Sequence, residues 1–170
     1  MQVVKKYLEL IDTNTSGPRY DVTPLFADFE AFSSLVDDMV SHFDTKEFDL
    51  VAGVDALGFI LGAAVAMQAK KGMIAIRKGG KLPVETQKIE FVDYSGTPKS
   101  LEIRRDTILD GMKVLPIDEW IETGTQVNAA IELIEFQKGI VAGVATINID
   151  ENEKTQKLKA QYKCYEAWNE

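Results

Sequence analysis

One stretch constrains this chain more than any other. Val114–Gln126 reads V-L-P-I-D-E-W-I-E-T-G-T-Q: an apolar run closes on two adjacent acids, Asp118 and Glu119. A small-polar turn, Thr123-Gly124-Thr125, then opens a helical pattern. A strand that passes through a short loop into a helix is the unit of an open α/β sheet, whose ligands sit beyond the carboxyl ends of the strands. Backbone N–H groups at such a helix start, helped by the helix dipole, receive anions. Carboxylates just before the turn suit hydroxyl groups, or a divalent cation that holds a polyphosphate. The arrangement predicts a phosphorylated sugar or a nucleotide as ligand. A strand followed by a capped helix with no ligand is the plainer alternative.

With 170 residues, the chain predicts one domain, 1–170, long enough to bury a sheet between helices on both faces. Hydrophobic content of 45% and charged content of 27% are ordinary globular values. A net charge of −8 with no basic stripe argues against a nucleic-acid partner. A small anionic ligand is still allowed, since it needs only a local positive pocket. The single cysteine, Cys164, cannot form an internal disulfide and reads as a buried filler. The single histidine, His42, falls near the end of a helical pattern, where capping or surface exposure is the default. These two build neither a nucleophilic dyad nor a metal cluster. Met1–Ile11, apolar at Val3, Val4, Tyr7, Leu8 and Ile11, reads as an amphipathic helix rather than a signal peptide. No apolar run is long enough to span a bilayer. The expectation is a soluble, cytoplasmic protein with no membrane partner.

Along the chain, Asn14–Tyr20 is a loop rich in turn formers, and Phe29–Phe43 reads as a helix, with Phe32, Leu35, Val36 and Met39 at helical spacing. Asp49–Val54 is a short strand and Gly58–Ala69 an Ala-rich helix packed on the sheet. Met73–Ile76 is a strand that runs into a basic loop, Arg77-Lys78-Gly79-Gly80-Lys81. Residues 84–100 are polar, carry Gly96 and Pro98, and predict an excursion away from the sheet, with Leu101–Arg104 as a strand of that excursion. Val114–Ile117 is the strand of the opening motif and Val127–Gln137 its helix. Ile140–Ile149 predicts one long alternating strand, and Tyr162–Tyr165 a last edge strand. This alternation predicts an α/β fold with a mainly parallel central sheet. Pro116 lacks a ladder donor, so it is expected where the motif strand leaves the sheet.

The motif stretch resembles the phosphoribosyl pyrophosphate (PRPP) motif of type I phosphoribosyltransferases, in which a strand leads to two acids, two apolar residues and A-T-G-G-T. Further blocks carry the resemblance in the family's order, closest to its adenine branch. Tyr20-Asp21-Val22-Thr23-Pro24-Leu25 is similar to F-R-D-I-T-P-L, and Gly53-Val54-Asp55-Ala56-Leu57-Gly58-Phe59 to G-x-D-x-R-G-F. Ile76-Arg77-Lys78-Gly79-Gly80-Lys81-Leu82-Pro83 is similar to I-R-K-x-G-K-L-P, and Leu101-Glu102-Ile103 to the L-E-I strand.

The resemblance implies the type I phosphoribosyltransferase fold, with a flexible hood at 84–100 and a base-side segment at 1–28. It implies transfer of phosphoribose from PRPP to a purine-type base, adenine first, in purine salvage, with Mg2+ and release of pyrophosphate. On this resemblance Asp118 and Glu119 hold the ribose hydroxyls and help order the metal through PRPP. The loop Glu122-Thr123-Gly124-Thr125-Gln126 takes the 5′-phosphate, and Arg77, Lys78 and Lys81 the pyrophosphate. Pro18, Arg19 and Tyr20 fall at the base, and Asp93, followed by Tyr94, is the candidate acid/base group toward the base nitrogen. Trp120, just after the acid pair, is assigned to packing. A homodimer is also implied.

Several residues depart from the family. Leu57 stands in place of an arginine that meets pyrophosphate, and a lost charged hydrogen bond is worth about 1.5–3 kcal/mol. Glu122 replaces a small residue in the phosphate loop, where a carboxylate facing a phosphate repels it. Arg19 stands where the family has a phenylalanine that stacks on adenine. Two readings follow: a working transferase, or a catalytically weak sensor that binds PRPP or a nucleotide on the same fold.

Overall fold

The computed structural model describes residues 5–93 and 95–168. A 3-10 turn over Lys6–Leu10 precedes α1 (Thr23–Ala27) and α2 (Phe29–His42). Then follow β1 (Leu50–Val54), α3 (Gly58–Ala69), β2 (Gly72–Lys78), β3 (Thr86–Val92), β4 (Pro98–Arg104), β5 (Lys113–Ile117), β6 (Trp120–Ile121) and α4 (Thr125–Phe136). The chain closes with β7 (Ile140–Val141), β8 (Val144–Thr146), β9 (Asn148–Ile149), α5 (Glu153–Gln161) and β10 (Cys164–Glu166).

The main sheet has the order β10-β8-β5-β1-β2-β4-β3, with β7 also on β5. Its pairs are parallel except at β4, which runs antiparallel to both β2 and β3. The mainly parallel α/β architecture agrees with the expectation. Side-chain alternation along the central strands supplies both faces. Val51, Leu115 and Ile117 join the core under α2 and α3, whereas Ala52, Val54 and Val114 join a second core under α4. Each fully buried Val, Leu or Ile in these layers contributes about 1.5–3 kcal/mol. Asp28 caps α2 by accepting from the Ala31 N–H at 2.9 Å.

The structure corrects several expectations. Met1–Ile11 is not a continuous helix: the described part is the short 3-10 turn, with Tyr7 and Ile11 buried, and Val3 and Val4 lie outside the described residues. Residues 84–100 do not leave the sheet. They form most of the β3–β4 hairpin, because β4 pairs with the end of β2 at Arg77↔Glu102 and Lys78↔Leu101. For the same reason Arg77 and Lys78 belong to β2 rather than to the loop after it.

Ile140–Ile149 breaks into β7, β8 and β9. At the first break a Cβ on Gly143 would lie 2.5 Å from the Phe43 ring and 2.7 Å from the Lys163 carbonyl, and beyond Thr146 the chain leaves the main sheet to pair with β6. Pro116 does not mark the end of a strand but lies buried opposite Ala52 in β5. Val114 accepts from the Ala142 N–H and Asp118 donates to Ala145, so the side of β5 where a residue 116 N–H would point faces the gap between β7 and β8. No ladder bond is lost there. Sequence periodicity also missed α5, whose turns bury only Thr155 and Leu158.

Candidate functional site

The site is built where β1 and β5, adjacent and parallel, end together. Asp118 follows β5 directly and is only 5% exposed. Its Oδ1 accepts from the Glu119 N–H at 2.8 Å, and Gln126 Nε2 lies 3.4 Å from its Oδ2. Gln126 also donates to the Asp55 carbonyl at 3.1 Å, so it ties the loop after β1 to the loop after β5. Burial pushes the Asp118 carboxyl well above its usual range, and the neighbouring Glu119 pushes it further. Burial also raises Glu119, against the pull of the Arg19 guanidinium. Two adjacent acids at a cavity wall, both raised by burial, are a place where hydroxyls or a cation are welcome.

The loop after this pair is shaped for an anion. Gly124 precedes α4 with φ 78°, a left-handed conformation that glycine adopts without strain. Gly124 at the N-cap brings no side chain of its own to the start of α4, which keeps the approach to the helix end open to an anion. The Thr125 N–H contacts Thr123 Oγ1 at 3.3 Å, and Lys154 Nζ donates to Thr125 Oγ1 at 3.2 Å. Asn152, which caps α5 with its Oδ1, donates from Nδ2 to the Glu122 carbonyl at 2.8 Å and so braces the loop from behind. The Glu122 carboxylate accepts from Arg19 Nε at 2.6 Å.

Two adjoining cavities meet here. One is lined by Arg19, Phe91, Asp93, Lys99, Asp118, Trp120 and the loop from Ile121 to Val127. The other, of about 230 Å³, is lined by Arg19, Tyr20, Asp55, Ala56, Leu57, Lys78, Lys99, Asp118, Glu119, Trp120, Glu122 and Gln126. The β3–β4 hairpin thus shares a cavity with this loop. The Asp93 carboxylate pairs with Lys99 and accepts from the Ser95 N–H at 2.9 Å. These contacts, Lys99 first, hold its pKa at about 2. An ionised carboxyl suits a base or a hydrogen-bond acceptor better than a general acid. Tyr94 lies outside the described residues.

Most of the candidate residues therefore converge, but Pro18, Arg77 and Lys81 line neither cavity. Arg77 donates to the Lys81 carbonyl at 3.1 Å, while its Nε is buried with no partner. Lys78 Nζ lies 3.9 Å from Asp55 Oδ1. The turn after β2 is organised by Glu102, which accepts the N–H groups of Lys81 and Leu82, each at 2.7 Å. Burial pushes Glu102 up, but the N–H groups of Leu82, Gly80 and Lys81 outweigh it and hold the carboxyl below its usual range.

Beside the acids, Tyr20, Trp120 and Trp168 form a ring cluster with centroids 5.5–6.0 Å apart. Sequence reading missed Lys99, Lys154, Asn152 and Trp168. Glu102 has a sequence signal of its own: a lone acid flanked by Leu101 and Ile103 in a strand faces something polar. Among the described residues no group of three or more His, Cys, Asp or Glu is placed to hold a metal, and no helix is long and apolar enough to cross a membrane.

Residues 30–169 match the phosphoribosyl transferase domain family. The adenine phosphoribosyltransferase of Clostridium perfringens is 41% identical over 140 residues, which cover 82% of this chain and 81% of that protein. The crystal structure of adenine phosphoribosyltransferase from Thermoanaerobacter pseudethanolicus superposes with a TM-score of 0.87 at 28% identity, over 96% of this chain and 97% of that one. That of the enzyme from Rhodothermus marinus gives 0.85 at 26% identity, over 96% of each chain.

Proposed function

The chain belongs to the phosphoribosyl transferase family, and on that footing we propose that it transfers the phosphoribosyl group of PRPP to a purine base, adenine first, as a step of purine salvage. The observation that carries the reading is the acid pair, a buried Asp118 beside a half-buried Glu119, one short loop ahead of the glycine-led start of α4.

In this reaction the bond from the anomeric carbon to pyrophosphate breaks, pyrophosphate leaves with the electron pair, and a base nitrogen bonds to the same carbon and loses its proton. Asp118 and Glu119 accept hydrogen bonds from the ribose hydroxyls and face the positive charge that develops on the sugar. The 5′-phosphate sits on the Thr123–Thr125 backbone, with Lys154 beside it. Lys78 meets the pyrophosphate, with Arg77 and Lys81 joining as the turn held by Glu102 closes on the ligand. The base lies by Arg19, Tyr20 and Trp120, where the carboxylate of Asp93 accepts a hydrogen bond from its N–H rather than donating a proton. The hairpin around 84–100 is the hood that excludes water, 1–28 is the base-side segment, and 1–170 acts as one catalytic domain.

Mg2+ fits as a cation carried in with PRPP. The two hard carboxylates line the cavity, and no three-ligand protein cage exists among the described residues. When bound, it neutralises the charge of the departing pyrophosphate. The same reading carries a cytoplasmic homodimer, for which sedimentation velocity is the check.

One observation favours a second reading: the cavity wall offers Leu57 where the family brings an arginine to pyrophosphate. A sensor that binds PRPP without efficient transfer needs no such grip.

The experiment is incubation with PRPP, Mg2+ and adenine, with product identified by mass spectrometry. Formation of AMP that stops on chelation of the metal supports transfer. PRPP binding without nucleotide formation from any base supports the sensor.

A further inference from the structure

Two departures from the family pattern, far apart in the chain, meet in space. Arg19, in place of a phenylalanine, donates through Nε to Oε1 of Glu122, in place of a small residue, at 2.6 Å. Stability is a poor reason for this pair, since the Arg19 side chain is 71% exposed and exposed ion pairs contribute little.

Its location is more telling. Glu122 lines both cavities beside Asp118 and opens the phosphate loop. Its backbone is pinned by Asn152, and that of Arg19 by Thr15 Oγ1, which donates to the Arg19 carbonyl at 2.5 Å. Without the guanidinium, a third carboxylate would stand at the cradle alongside Asp118 and Glu119, opposing a phosphate across a site open enough for salt to screen it.

We propose that Arg19 is a positioning residue for the sugar-phosphate ligand, acting through Glu122. It holds the Glu122 carboxylate and cancels its charge, so that the phosphate loop remains open to an anionic phosphoribosyl ligand. The proposal rests on the transfer reading for the identity of that ligand, but not on turnover.

Charge counting gives signed expectations for PRPP binding with Mg2+, read by calorimetry. Arg19→Phe leaves a net negative charge and weakens binding about tenfold. Glu122→Ala leaves a net positive charge and tightens it about tenfold. The double variant, neutral like the wild type, returns to within about threefold of it. Both single effects shrink in about 0.5 M salt, which a merely structural defect would not do. Thermal melts of all four proteins identify any variant that fails to fold, and Arg19→Lys, which keeps the charge, substitutes for Arg19→Phe in that event by retaining most of the affinity.

A double variant as weak as Arg19→Phe would show that Arg19 grips the ligand directly and would overturn the proposal. So would single effects that ignore salt. Wild-type protein that binds PRPP and obeys the cycle but forms no nucleotide would sink the transfer reading and leave this one standing. Wild-type turnover with no rescue would do the reverse, and no PRPP binding at all would overturn both.

Discussion

Gly58 lies directly against Ile117: a Cβ built on the glycine would stand 2.5 Å from the Ile117 carbonyl oxygen and 3.2 Å from the Cα of Asp118. The first turn of α3 thus backs onto the last residue of β5, and this contact sets where the buried acid sits. Both neighbours are backbone atoms, so no side chain can swing aside. Gly58→Ala is expected to cost about 1–3 kcal/mol through overpacking and to displace Asp118. A lower urea midpoint together with reduced turnover is the predicted result. A variant as stable and active as wild type would contradict the packing account.

Asp118 gives a stability prediction opposite in sign to its catalytic one. Its folded pKa is raised, chiefly by burial. The unfolded chain releases the proton near pH 4 while the native state keeps it to higher pH, so native protein carries more protons across that window and stability falls as pH rises. Asp118→Asn removes the penalty. The ligand-free variant should melt about 3–6 °C above wild type near pH 8, a gain of about 1–2 kcal/mol, with the difference closing near pH 4. Turnover should fall about tenfold to a hundredfold for want of the charged acceptor. Calorimetric melts across pH test the first half, initial rates the second.

Lys99 governs the state of Asp93. With its largest partner gone in Lys99→Met, the Asp93 carboxyl should rise from about 2 toward the ordinary carboxylate range. A pH profile of kcat/KM for the base should then lose rate at a higher pH on its acid side than the wild-type profile does. Superimposable acid limbs would remove Asp93 from the reaction.

Leu57 lines the cavity next to Lys78 and begins the approach to α3. Leu57→Arg should supply the missing charged hydrogen bond and lower KM for PRPP about tenfold or more, with kcat little changed. An unchanged KM would mean that the pyrophosphate grip is complete without this position.

Local signals made much of this legible. Gly58–Ala69 begins and ends as expected because a run of this length that is apolar but for Gln68, bounded by glycine and lysine, reads as a helix packed on the sheet. The acids, the turn and the following helix are contiguous, so their order alone points to an anion site. What failed depends on partners distant in sequence. The alternation of Ile140–Ile149 continues through bends imposed by Phe43 and by β6. α5 has no apolar stripe to announce it, so Lys154 and Asn152 could not be placed beside the loop. Glu122, a misfit in the family's loop pattern, is paired by Arg19, from a loop 103 positions away, and no local signal links the two.

The most direct test of the account is base-dependent release of pyrophosphate from PRPP and Mg2+, followed for wild type and Asp118→Ala across adenine, guanine, hypoxanthine, xanthine and the pyrimidine bases. The account predicts turnover with a purine, adenine foremost, that needs the metal and falls about a hundredfold in the variant. No turnover with any base, or turnover indifferent to Asp118, would contradict it.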